Sequence, residues 1–98
     1  MLLDTGTLRY FMNQVMQEQG IYPVRTYTDK IPGGFDWERR VCWAFTEAFD
    51  KKYNRKIAKL VKEVEHRIQA AGHYRQPITI HADTSPFYIY VRAKANLF

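Results

Sequence analysis

Between Phe35 and Ala71 the chain has neither proline nor glycine, so no residue breaks a helix anywhere in that stretch. The apolar phase does break it. Trp37, Val41, Ala44, Phe45 and Ala48 recur at helical spacing on one face, and Tyr53, Ile57, Leu60, Val61, Val64, Ile68 and Ala71 on another. At about 100° per residue the two stripes lie about 145° apart, and one straight helix cannot bury both on a single core. The break is expected at Asp50–Asn54, whose end residues are both good helix caps. The pattern thus predicts one helix from Trp37 to about Asp50, capped by Asp36, and another from about Arg55 to Ala71, ended by Gly72.

The flanking segments complete the expected order. Leu8, Phe11, Met12, Val15 and Met16 form a single helical stripe, which predicts a first helix from about Leu8 to Gln19, with Thr7 and Asp4 as capping residues and Gly20 as its stop. Residues 21–28 are β-branched and aromatic and read as a short strand, kept at an edge or a start by Pro23. Residues 77–82 and 87–94 alternate with period two around the turn Asp83–Pro86. This predicts a hairpin with Ile78, Ile80, Phe87, Ile89 and Val91 inward and Thr79, His81, Tyr88, Tyr90, Arg92 and Lys94 outward. The expected fold is therefore one α+β domain of three helices plus a C-terminal antiparallel β-hairpin, with a short strand between helices 1 and 2. That element order resembles the winged helix, a helix-turn-helix variant that reads DNA.

Composition narrows the function classes. The 98 residues suffice for one domain, and with 46% apolar and 15% aromatic residues the chain has material for a core. No apolar run reaches membrane-span length, the first residues lack a secretory pattern, and the one cysteine, Cys42, allows no internal disulfide, so the expected setting is cytoplasmic. The net charge is +5, and its surplus is local. From residue 51 to 76, Lys51, Lys52, Arg55, Lys56, Lys59, Lys62, Arg67 and Arg75 stand against only Glu63 and Glu65, while the remainder of the chain is close to neutral.

On a helical wheel Lys51, Lys52, Arg55, Lys59, Lys62 and His66 fill an arc of about 100° opposite the apolar stripe. Like charges at these spacings cost about 0.2–0.5 kcal/mol per pair, and a polyanion laid along the helix would relieve that repulsion and release counterions. A solvated outer face would show the same lysines. On the hairpin, Tyr88 and Tyr90 alternate with Arg92 and Lys94, a pattern suited to stacking on unpaired bases with phosphate contact, or simply to cross-strand stabilisation.

Catalytic constellations are weak. Leu2-Leu3-Asp4-Thr5-Gly6-Thr7 is similar to the active-site signature of retroviral-type aspartic proteases, but the match covers six residues and lacks that family's later apolar-apolar-glycine turn. Cys42, His66, His73 and His81 show no close-spaced metal-ligand pair, and Gly33-Gly34 lacks the lysine of a phosphate loop. No metal, cofactor or catalysis is expected. The leading expectation is a small, basic, non-enzymatic nucleic-acid-binding domain, for DNA or RNA, that uses Arg55, Lys56, Lys59, Lys62, His66 and Arg67 together with Tyr88, Tyr90, Arg92 and Lys94. The alternative is a small protein-binding module, an inhibitor or adaptor of the kind found in phages and mobile elements, docking on a larger acidic or nucleic-acid-processing assembly. No membrane partner is expected.

Overall fold

The computed structural model describes residues 4–48, 50–72 and 78–95. Its elements, in chain order, are α1 (Thr5–Glu18), β1 (Arg25–Lys30), β2 (Arg39–Ala44), α2 (Lys51–Ala70), β3 (Ile78–Ser85) and β4 (Tyr88–Ala95). The α+β class holds, but the expected arrangement does not. There are two helices and a four-stranded antiparallel sheet among the described residues, in place of three helices and a hairpin, and the winged-helix order falls with it.

The error lies in the segment after Asp36. It forms a loop and then the central strand β2, paired on one side with β1 (Tyr27 opposite Cys42) and on the other with β4 (Cys42 opposite Tyr90). The helical stripe there was a coincidence of spacing. Trp37 is 67% exposed and Ala48 is exposed, while Val41 and Trp43, two apart as a strand requires, are fully buried. Inside that core the Trp43 indole donates to Asn13 Oδ1 at 2.8 Å, which satisfies its only polar atom. The preceding loop turns at Gly33 (φ 75°), a left-handed position that glycine adopts without strain, and it is tied by Phe35 N–H donating to Glu38 Oε1 at 2.8 Å.

Both helices obey local rules. Asp4 Oδ2 accepts from Thr7 N at 2.9 Å to cap α1. Its C-terminus closes as a Schellman motif: Gly20 (φ 71°) donates to Gln17 O, and Ile21, which is buried, donates to Met16 O. Asp50 Oδ1 accepts from Tyr53 N at 2.8 Å to cap α2, which therefore begins at Lys51 rather than near Arg55, and what precedes it is not helix. The hairpin is longer than expected. β3 runs on to Ser85, opposite Tyr88, and the turn is Pro86-Phe87, which leaves Phe87 45% exposed rather than in the core.

The sheet order is β1-β2-β4-β3. Because β4 is antiparallel to both β2 and β3, those two strands are parallel to each other, and α2 joins them with β4 inserted between, a split β-α-β unit. One apolar cluster unites Leu8, Met12, Val15 and Met16 of α1, Ile57, Leu60, Val61, Val64 and Ile68 of α2, and Val41, Trp43, Ile78, Ile80, Ile89, Val91 and Ala93 of the sheet. Both helices therefore cover the same face of the sheet. At the edge strand β3, the Ile80 amide donates to Glu65 Oε1 of α2 at 2.9 Å, which occupies a group that would otherwise invite strand addition.

Candidate nucleic-acid interface

Strand alternation sends every second side chain to the face that the helices leave open. On β1 these are Arg25, Tyr27 and Asp29, on β2 Arg40 and Cys42, on β4 Tyr88, Tyr90 and Arg92, and on β3 His81 and Asp83. The register sets Tyr27 beside Cys42, Cys42 beside Tyr90, Tyr90 beside Asp83, and Arg92 beside His81.

These side chains are organised by one another. Arg40 grips Asp29 with two bonds, Nε to Oδ1 at 2.7 Å and Nη2 to Oδ2 at 3.3 Å. Its guanidinium also lies over the Tyr90 ring, 4.1 Å from the centroid, and Tyr90 is stacked with Tyr88 at 5.8 Å and 16°. Arg25 lies over Tyr27 at 4.8 Å. Beneath this layer Cys42 is fully buried although it points away from the helices, and its thiol donates to Asp29 Oδ1 at 3.3 Å.

The electrostatics follow. The hydrogen bonds from Arg40 hold the Asp29 carboxyl below its ordinary range, and Asp29 in turn raises the Arg40 guanidinium. Burial, and secondarily Asp29, push the Cys42 thiol up to about 11, so at neutral pH it is a packed, protonated group and not a nucleophile. Burial also raises the Tyr27 phenol. A cavity of about 270 Å³ opens on this face, lined by Ile31, Pro32, Val91 and Tyr90 together with Arg40, Arg92, His81 and Asp83.

The expected site residues divide into two groups. Tyr88, Tyr90 and Arg92 stand together on the open sheet face as anticipated, and Lys94 belongs to β4 with its side chain outside the described ones. Arg55, Lys56, Lys59, Lys62 and His66 are exposed on α2, on the opposite side of the molecule. α2 turns Ile57, Leu60, Val64 and Ile68 into the core, so its basic ridge faces away from the sheet. The ridge is also less uniform than its sequence. Arg67 is held by Glu18, at 2.6 and 2.7 Å, and by Glu63, at 2.8 Å, which raises its guanidinium pKa and occupies its charge. Lys62 comes only within 4.0 Å of Glu65, and Lys56 sits 5.9 Å from the Tyr53 ring centroid. The two groups cannot serve one contact surface.

Arg25, Tyr27 and Arg40 were not anticipated. Reading Arg39–Ala44 as a strand would have found Arg40, since Arg40 and Cys42 alternate with Val41 and Trp43. Asp4 and Thr7 meet at the α1 cap, and His73 lies outside the described residues. Among the described residues no three His, Cys, Asp or Glu side chains gather as a metal-holding group, and no helix is long and apolar enough to cross a membrane. No family model, curated protein or solved structure matches this chain.

Proposed function

We propose that this chain is a non-enzymatic module that binds single-stranded nucleic acid on the open face of its sheet. The observation that carries the reading is the Arg40–Tyr90–Tyr88 stack on a face left uncovered by both helices. Aromatic rings supply surfaces on which bases of any identity stack, and arginines beside them meet the phosphates and add cation–π attraction. Tyr88, at 37% exposure, is the tyrosine of this face most open to an incoming base; Arg25 lies in the same row two strands away, beyond Ala44, and Arg92 lies four residues along β4 on the same face. A duplex holds its bases stacked inside and offers such a face little. The ridge of α2 then acts at a distance, adding positive potential that raises the rate of encounter and the salt sensitivity without touching the same stretch of strand. The single cysteine, a buried free thiol, is in keeping with a cytoplasmic setting.

The test is fluorescence anisotropy with a labelled single-stranded oligonucleotide across a salt series. Tyr88→Ala should weaken binding by about 10- to 100-fold, since stacking on one side chain is worth roughly 1–3 kcal/mol. The double variant Lys59→Glu/Lys62→Glu should weaken it far less and flatten the salt dependence. If the lysine variant abolishes binding while Tyr88→Ala leaves it intact, the contact surface is the helix and this reading fails.

A further inference from the structure

The cavity on the open face does not have the make-up of a simple phosphate site. Its lining carries an acceptor, Asp83, as well as donors, Arg92 and His81, together with the apolar Ile31 and Pro32 and the Tyr90 ring. Asp83 stands beside Tyr90 on the next strand, and Arg92 is two residues further along that strand, so the carboxylate and the guanidinium are diagonal neighbours on one face. Nevertheless they form no ion pair, and neither has a hydrogen-bond partner among the described residues. Arg40, by contrast, is committed to Asp29 and Tyr90.

A carboxylate and a guanidinium left unpaired beside an aromatic ring suit a flat molecule with donors on one edge and acceptors on another. Resting on the reading of the open face as a single-strand platform, we infer that this cavity is a base-reading subsite with preference for guanine. Guanine is the base that presents two adjacent donors, N1–H and the N2 amino group, to the two oxygens of one carboxylate. Its O6 and N7 are the pair of acceptors that an arginine meets with two bonds. Adenine lacks the N1–H donor and reverses the polarity at position 6, so it would leave the Asp83 carboxylate facing a ring nitrogen lone pair. A volume of about 270 Å³ leaves room for a purine. Asp83 also opposes a phosphate in this position, because its charge offsets that of Arg92.

The experiment compares uridine oligonucleotides carrying a single guanosine or a single adenosine, with guanosine 5′-monophosphate alone as a second probe followed by NMR at the His81 imidazole and Arg92 Nε–H. The wild-type protein should bind the guanosine strand about tenfold or more tightly than the adenosine strand, the range expected of one well-made bidentate contact. Asp83→Asn, which keeps the shape of an exposed side chain, should erase that preference, and Arg92→Lys should reduce it in part. Guanosine monophosphate should shift the His81 and Arg92 signals in the wild type and not in Asp83→Asn. Equal binding of the two strands by the wild type, or a preference that survives in Asp83→Asn, overturns the inference and leaves the platform reading standing. Failure of every strand to bind, with guanosine monophosphate still shifting His81 and Arg92, would remove the platform reading and leave the guanine subsite.

Discussion

The two faces of the sheet bury side chains by different means. On the helix side, Val41, Trp43, Ile89 and Val91 are covered by apolar side chains from α1 and α2, and the hydrophobic effect does the work. On the other side Cys42 is equally inaccessible, but its roof is a layer of Tyr27, Tyr90, Arg40 and Asp29 whose outer atoms meet water. Adjacent residues of one strand, Cys42 and Trp43, thus belong to two kinds of interior. The inner one determines whether the chain folds. The outer one is a thin polar-aromatic skin that holds side chains in place for contact, and its free energy is spread over ring stacking, one ion pair and cation–π geometry.

Three measurements of folding separate these roles, from the largest expected effect to the smallest. Trp43→Ala should cost about 3–5 kcal/mol through lost burial and a residual cavity, which is a large part of the stability of a domain this small. Urea unfolding followed by circular dichroism would read it, and a loss comparable to a surface change would mean that Trp43 is not the centre of the core. Cys42→Ala should cost only about 1 kcal/mol, since it removes one small group beneath side chains that can settle inward. The smallest effect is expected at Tyr88→Ala, which should change stability by no more than about 0.5 kcal/mol even though it weakens strand binding.

The outer skin also predicts a pH dependence of opposite origin to acid denaturation. Cys42 is an acid whose folded-state pKa, about 11, lies above the ordinary thiol value, so the native state favours the neutral form. Its contribution is complete below the unfolded pKa. It is lost as pH rises from about 8.5, where the unfolded thiol ionises, toward about 11. Tyr27, also raised, adds in the same direction. The urea midpoint of the wild type should therefore fall across that window, and Cys42→Ala should flatten the fall. An identical pH profile in the variant would show that the thiol is not shielded.

Much of this architecture was legible because it is local. The run from Tyr53 to Ile68 announces an amphipathic helix by its 3.6 period, while two caps, Asp50 and Asn54, were available for its start and the structure uses the first. Ile78 to Ile80 and Ile89 to Val91 announce strands by alternation, and Tyr88, Tyr90 and Arg92 were placed on one face by the same rule. Trp37 to Ala48 misled, because five apolar residues can satisfy a helical spacing and still be used as a loop and a strand. What decided the matter was distant. Strand β2 is paired on both sides, Cys42 lying opposite Tyr27 of β1 and Tyr90 of β4, and Trp43 reaches Asn13 on α1.

By itself, then, the sequence determined that an amphipathic helix ends near Ala71, which residues of each hairpin strand share a face, and that the positive charge is concentrated on one helix. The tertiary structure alone decided that β2 is a strand, that the sheet runs β1-β2-β4-β3, and that the basic ridge and the tyrosine–arginine face look in opposite directions. The physical reason is that a period is a property of neighbouring residues. Which face of a sheet receives the helices is set instead by contacts between segments far apart in the chain, and no local pattern carries that information.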